Sequence, residues 1–343
     1  MHLFVGSYER ASKPGIHRFH YDPERGTVTY GEGFSGVERP SFLTANRAGT
    51  ALYAVSEKAD GTVAAFAVRP DGGLKPLGER STGGADPCHL TLMADESRLF
   101  VANYSGGSVA VFPVLADGAL GERLELAAHE GRGERAGRQE APHPHSAFLT
   151  PDGRYLLVPD LGIDRLVAYA AEGGRLGRAA AIALPAGAGP RHLAFHPTLP
   201  VAYVVNELSC TVSTFRTADD PAGYAPLDEV STLPAGYAGD NTCADIRVTP
   251  NGRFVYASNR GHDSLAVFRV DGEGRLAPAG FAPAGGKTPR NFAVAPDGRF
   301  VLVASQHSDA ITSFAVEAET GMLKEVQRVE GVRAPVCLRF VRS

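Results

Sequence analysis

Residues 242–276 read TCADIRVTPNGRFVYASNRGHDSLAVFRVDGEGRL. Two runs inside it, RFVYAS (253–258) and SLAVFRV (264–270), are short, rich in Val, Phe and Tyr, and suited to a pleated, half-buried surface. Pro250-Asn251-Gly252 and further Gly, Asp and Asn residues bound them, so the stretch predicts strand, turn, strand in repetition. No part of it carries a helical period.

The same pattern recurs along the chain. It follows Pro40 (PSFLTANRAGTALYAVSEKADGTVAAFAV), Pro87 (PCHLTLMADESRLFVANYSGGSVAVF), Pro144 (PHSAFLTPDGRYLLVPDLGIDRLVAYA), Pro190 (PRHLAFHPTLPVAYVVNELSCTVSTF) and Pro289 (PRNFAVAPDGRFVLVASQHSDAITSFAV). Thr242 takes the proline's place in the stretch above. The register begins at 40, 87, 144, 190, 242 and 289 and returns at Pro335, so most spacings are 46 or 47 residues. A period of that size marks a stacked or circular array, and four antiparallel strands per unit describe a propeller blade.

Six complete units run from residue 40 to 334. Residues 1–39 hold three further strands (LFVGSY, GIHRFHYD, TVTYGEG), and residues 335–343 (PVCLRFVRS) offer the missing innermost one. The expected fold is therefore all-β: one seven-bladed β-propeller spanning 1–343, its blades four-stranded and antiparallel, its ring closed by a blade shared between the N- and C-termini. Closure removes the exposed edges of an open array.

Composition narrows the class of partner. The formal net charge of −4 gives no global basic surface for nucleic acid or an anionic membrane. No run of about 18 apolar residues suggests a membrane span. Four dispersed cysteines without a C-x-x-C pair argue against a zinc ribbon or redox motif. With no basic leader in MHLFVGSYER, the reading is a cytoplasmic protein.

In a propeller, the residue after each repeat proline begins the strand nearest the axis. Down the blades these are Ser41, Cys88, His145, Arg191, Cys243, Arg290 and Val336. The loops between the second and third strands open on the same face and add Glu57, Tyr104, Asp160, Glu207, Arg260, His262 and Gln306. A purely structural channel prefers small or apolar groups. Arginines and a histidine converging there predict an axial pocket for a small anion. His143 and His145 flank Pro144 and do not form a ligand set of the three or four residues a metal needs, so no metal is expected. The cysteines are expected to fill the channel as thiols.

RQEAPHPHS (138–146), GPRH (189–192), VVNEL (204–208), YASNRGHDS (256–264), TPRNFAVAPDGRF (288–300) and PVCLRF (335–340) together resemble the seven-bladed lactonase family. That family includes propeller-type 6-phosphogluconolactonases and fungal 3-carboxy-cis,cis-muconate lactonizing enzymes, and the likeness covers essentially the whole chain. It implies a cofactor-free, metal-independent hydrolase of a small anionic sugar lactone, with 6-phosphogluconolactone as the expected substrate. A muconolactone cycloisomerase using the same residues is the alternative, and a non-enzymatic binding propeller is a second one. Carried onto this sequence, the motifs make His145, Arg191, Glu207 and Arg260 the expected catalytic group. His145 or Glu207 is the expected acid or base. Arg290, Arg138, Gln139, His143, Asp160 and His262 are expected around the substrate, and the Gly-rich insert 128–141 is either a partial lid or a variable, solvated loop.

Overall fold

A computed structural model describes residues 1–171 and 175–342. Among these residues the strands form seven four-stranded antiparallel sheets, and the helical content is two short 3-10 turns. Each sheet is one blade, with strands a to d running outward from the axis. The repeat register predicts their starts in blades 2, 4, 5 and 6, where strand a is Pro87–Leu92, Pro190–Phe195, Thr242–Val248 and Pro289–Val294. In blades 1 and 3 the strand begins later, at Leu43–Ala45 and Phe148–Leu149, so Ser41 and His145 precede it rather than begin it. In blade 7 strand a is Pro335–Val341, paired antiparallel with His2–Ser7 from Leu338↔Val5 out to Val341↔His2. One blade therefore joins the two ends of the chain.

Apolar residues on both faces of the middle strands explain their near-continuous hydrophobic runs. In His2–Ser7, Leu3 and Val5 pack against Leu302 and Ala304 of blade 6, while Phe4 packs on the other side against Leu52 and Ala54 of blade 1. Seven apolar clusters of this kind fill the seven spaces between blades. A buried side chain as large as Phe4 contributes about 1.5–3 kcal/mol. Tyr53, Tyr203 and Tyr256 add staples between blades, each hydroxyl donating to a glycine carbonyl of the next blade's outer turn at 2.7–2.9 Å. The Pro-Asp-Gly and Pro-Asn-Gly segments are the a-to-b turns, with Gly153, Gly252 and Gly298 at φ 72–74°. No described helix is long and apolar enough to cross a membrane.

Two regularities aim side chains at the axis. First, the ladder between strands a and b breaks register just after the repeat proline. Residues 88, 191, 290 and 336 are the extra residues of these bulges, which turns Cys88, Arg191, Arg290 and Val336 inward. Second, the last residue of strand b, or in blade 5 the last but one, is buried and polar in every blade: Ser7, Ser56, Asn103, Asp160, Asn206, Asn259 and Ser305. In most blades that side chain bonds nearby backbone or side chains, as Ser56 does with the Glu38 carbonyl at 2.7 Å. The next residue is then left at the channel mouth.

Candidate active site

A cavity of about 200 Å³ opens at one end of the axis, lined by Glu57, Cys88, Tyr104, Arg138, His145, Glu207, Arg260 and Arg290. Below it lies a void of about 10 Å³ bounded by Ser41, Phe42, Glu57, Cys88, Arg191, His192, Arg290, Asn291 and Val336. Both are built from the two inward-turned rows just described. Four guanidinium groups thus face two carboxylates, and the surplus positive charge suits an anionic ligand.

Glu207 organises one side of the cavity. Its Oε1 accepts from Arg138 at 2.5 Å; its Oε2 accepts from Arg191 Nε at 3.0 Å and lies 2.9 Å from Arg260 Nη2. Burial alone would favour the protonated acid, but Arg260, Arg191 and Arg138 outweigh it and bring the pKa down to about 2. A carboxylate held that firmly by three cations is a poor proton acceptor near neutral pH. Its work is to gather arginines that would otherwise repel one another.

His145 stands beside this group, buried, with Nε2 4.0 Å from Glu207 Oε2. Burial first, then Arg191, His192 and Arg290, holds its pKa well below the ordinary histidine value. The imidazole is therefore neutral at physiological pH and free to take a proton. Cys88 lies under it, Sγ 3.7 Å from His145 Nδ1 and 3.2 Å from the His145 carbonyl. Burial pushes the Cys88 thiol up, so it remains protonated and serves as packing.

The opposite wall is made by Arg290 and Glu57, backed by Tyr8. Tyr8 donates to the Glu57 carboxylate at 2.9–3.0 Å, and the Arg290 guanidinium lies over the Tyr8 ring, 5.3 Å from its centre. Burial opposes the charge on Arg290, but Tyr8, Glu57 and Glu207 outweigh it and raise its pKa. Among the described residues no hydrogen bond engages the Arg290 guanidinium. It is the one guanidinium of the cavity without a hydrogen bond or ion pair among the described residues.

A family model described as Lactonase, 7-bladed beta-propeller, matches residues 2–340. The chain belongs to the seven-bladed β-propeller lactonase family. A 6-phosphogluconolactonase of Bacillus subtilis is 35% identical to it over 99% of this chain and 98% of its own length. Among solved structures, the periplasmic gluconolactonase of Pseudomonas aeruginosa is 35% identical, with a TM-score of 0.93 over 99% of both chains. A protein from Lactobacillus plantarum is 31% identical, again with a TM-score of 0.93 over 99% of both chains.

Within this propeller lactonase, His145, Glu207, Arg260, Arg290 and Arg138 line the cavity, Arg191 bounds the void beneath it, and four other expected residues line neither. Asp160 sits one position short of the loop row, in the ring of buried strand-b termini. Its carboxylate takes the His129 ring at 2.6 Å and the backbone N–H groups of His143 and Gly162, and Leu161 occupies the place equivalent to Glu57 and Glu207. Gln139 is buried beside Arg138 and donates to the Leu161 carbonyl and Asp164, clasping the 128–141 insert to blade 3. His143 stacks on Tyr104, with ring centres 4.4 Å apart, and supports that cavity wall from behind. His262 lies beyond Arg260, bonded to Ser264 Oγ at 2.6 Å and edge-on to Tyr237. Tyr8 is the residue the sequence reading omits. It follows strand b of blade 7 as Glu57 follows that of blade 1, a correspondence hidden because blade 7 is split between the chain ends.

Proposed function

We propose that this lactonase hydrolyses 6-phosphoglucono-1,5-lactone to 6-phosphogluconate without metal or cofactor. The observation that carries the reading is a neutral, buried His145 set among four arginines, of which Arg290 has no hydrogen-bonding partner in the described protein. The cavity of about 200 Å³ is smaller than the ~300–1,000 Å³ of drug-sized sites and suits a single sugar ring.

In this mechanism His145 takes a proton from a water molecule whose oxygen attacks the lactone carbonyl. Arg191 and Arg260 stabilise the resulting oxyanion; one such preorganised donor contributes about 3–4 kcal/mol. Collapse breaks the bond to the ring oxygen, which recovers the proton from the His145 imidazolium and leaves as the hydroxyl of the open acid. Arg290 holds the phosphate, and Arg138 closes over it from the insert. Glu207 keeps the arginines in place and takes no part in proton transfer.

The test is turnover of freshly generated lactone above its spontaneous rate, with EDTA present throughout, by wild type and by His145→Ala. Acceleration lost in the variant supports the reading; no acceleration by folded wild-type protein overturns it. We also place the protein in the cytoplasm, because its four cysteines are free and buried, as fits a reducing compartment. Cell fractionation tests this against the periplasmic location carried in the name of the Pseudomonas relative.

A further inference from the structure

Under the arginines lies a buried polar layer that the proposed chemistry does not use. His192 directly follows Arg191, and the bulge at that point lets two consecutive side chains both turn toward the axis, where both are buried. His192 Nδ1 is 2.9 Å from Asp245 Oδ1, and its Nε2 is 3.3 Å from Arg191 Nη1. Asp245 comes from the irregular start of strand a in blade 5. It is itself fixed by Asn291 Nδ2 at 2.7 Å, Ile246 N at 2.9 Å and Arg247 Nη2 at 3.0 Å.

The hydrogen bonds fix the tautomer. Burial favours the neutral acid, but Arg247 and His192 outweigh it and hold the Asp245 carboxyl well below the usual range, so it only accepts. Nδ1 of His192 must then carry the proton. Burial and Arg191, opposed by Asp245, bring the His192 pKa down to about 4, which leaves Nε2 with a lone pair facing the guanidinium. Two of the three Arg191 nitrogens are thereby spoken for: Nε by Glu207, and Nη1 by the Ala244 carbonyl at 2.5 Å and by His192. Among the described residues no hydrogen bond engages Nη2.

We propose that His192 and Asp245 are positioning residues, a carboxylate–imidazole pair that locks the Nη1 edge of Arg191 so that Nη2 is the donor offered to the reacting carbonyl. The inference rests on the reading of Arg191 as an oxyanion donor. Neither residue touches substrate. Burial beneath the cavity among Phe42, His89 and Phe148 keeps water from replacing the imidazole as Arg191's acceptor.

The two nitrogens of His192 can be removed separately. His192→Gln keeps an acceptor where Nε2 stood, facing Arg191, and gives up the donor to Asp245. His192→Asn keeps the donor near Nδ1 and gives up the acceptor. With lactone as substrate, the Gln variant is expected to keep kcat within about threefold of wild type. The Asn variant is expected to lose about 10- to 100-fold in kcat with KM little changed, bounded by the 10²–10³ lost when an oxyanion donor is removed outright. In an Arg191→Ala background the Asn substitution is expected to cost nothing further. Melting curves accompany each variant, and Gln and Asn that melt alike but differ in kcat separate positioning from folding. Equal kcat for Gln and Asn, or a full Asn penalty persisting in Arg191→Ala, overturns the positioning role. An Arg191→Ala protein with normal kcat overturns instead the reading of Arg191 on which it rests.

Discussion

Replacing Glu207 by Gln removes the charge that three arginines share and leaves the side chain's shape almost unchanged. The carboxyl lies at about 2 in the folded protein against 4.5 for a free glutamate, which corresponds to roughly 3 kcal/mol of folding stability at neutral pH. Breaking a buried ion pair from one side costs about 3–5 kcal/mol by independent reckoning, so the two agree. At ~2 °C per kcal/mol for a domain of this size, Glu207→Gln is expected to melt about 6 °C below wild type near neutral pH. Because the folded pKa is depressed, this contribution is fully present above about 4.5 and is lost as the pH falls toward about 2. The gap between the two proteins should therefore close across that acid window. The freed guanidiniums should also bind inorganic phosphate more tightly, so added phosphate restores more of the melting temperature in the variant than in wild type. Calorimetry across pH, with and without phosphate, reads all three effects. A variant that melts with wild type near neutral pH, or a gap that persists unchanged into acid, would refute the account of Glu207 as the arginines' counter-charge.

Three other outcomes follow from the same geometry. Because His145 is held neutral well below the ordinary histidine value, kcat/KM should stay flat from about pH 8 down to about pH 6 and fall only in more acid solution; an inflection at or above about 6.5 contradicts a depressed His145 as the base. Arg290→Ala should raise KM for the phosphorylated lactone by about 10- to 100-fold, from a charged hydrogen bond of about 1.5–3 kcal/mol, and leave unphosphorylated gluconolactone unaffected; equal effects on both would remove Arg290 from phosphate recognition. Arg138→Ala, half-exposed on the insert, should leave the melting temperature near that of wild type while increasing product dissociation in stopped-flow measurements.

The ring was legible from the repeat because one proline-led sentence recurs, and the terminal fragments supply complementary strands. The axial row was legible for the same reason: the position after the repeat proline, or after Thr242 in blade 5, recurs around the ring, and in four blades a one-residue bulge turns that residue inward. What failed was register within the loops. Asp160 and Leu161 differ by one step, and in a strand ending at a loop one step separates a buried anchor from a cavity wall. Sequence could have set this right by aligning the polar strand-b termini, Ser7 through Ser305, before counting loop residues. The same alignment brings Tyr8 into the site. The pairings of His192 with Asp245 and of Cys88 with His145 join residues about fifty positions apart across neighbouring blades, and spacing alone carries no such contact.

The shared closing blade also sets the order in which the molecule can be made. Strands His2–Ser7, Ile16–Asp22 and Thr27–Phe34 leave the ribosome before the other blades, and the Pro335–Val341 strand that completes their sheet is synthesised some three hundred residues later. Until then the inner edge of His2–Ser7 stands unpaired, with an apolar side chain on either face, the kind of edge that recruits a neighbouring chain. Every nascent copy passes through that state, and leaving it requires a long-range strand pairing, the slow kind. Val336, which bounds the floor of the axial void, arrives with it. A chain interrupted before Pro335–Val341 is therefore an open ring with a sticky edge and no finished pocket.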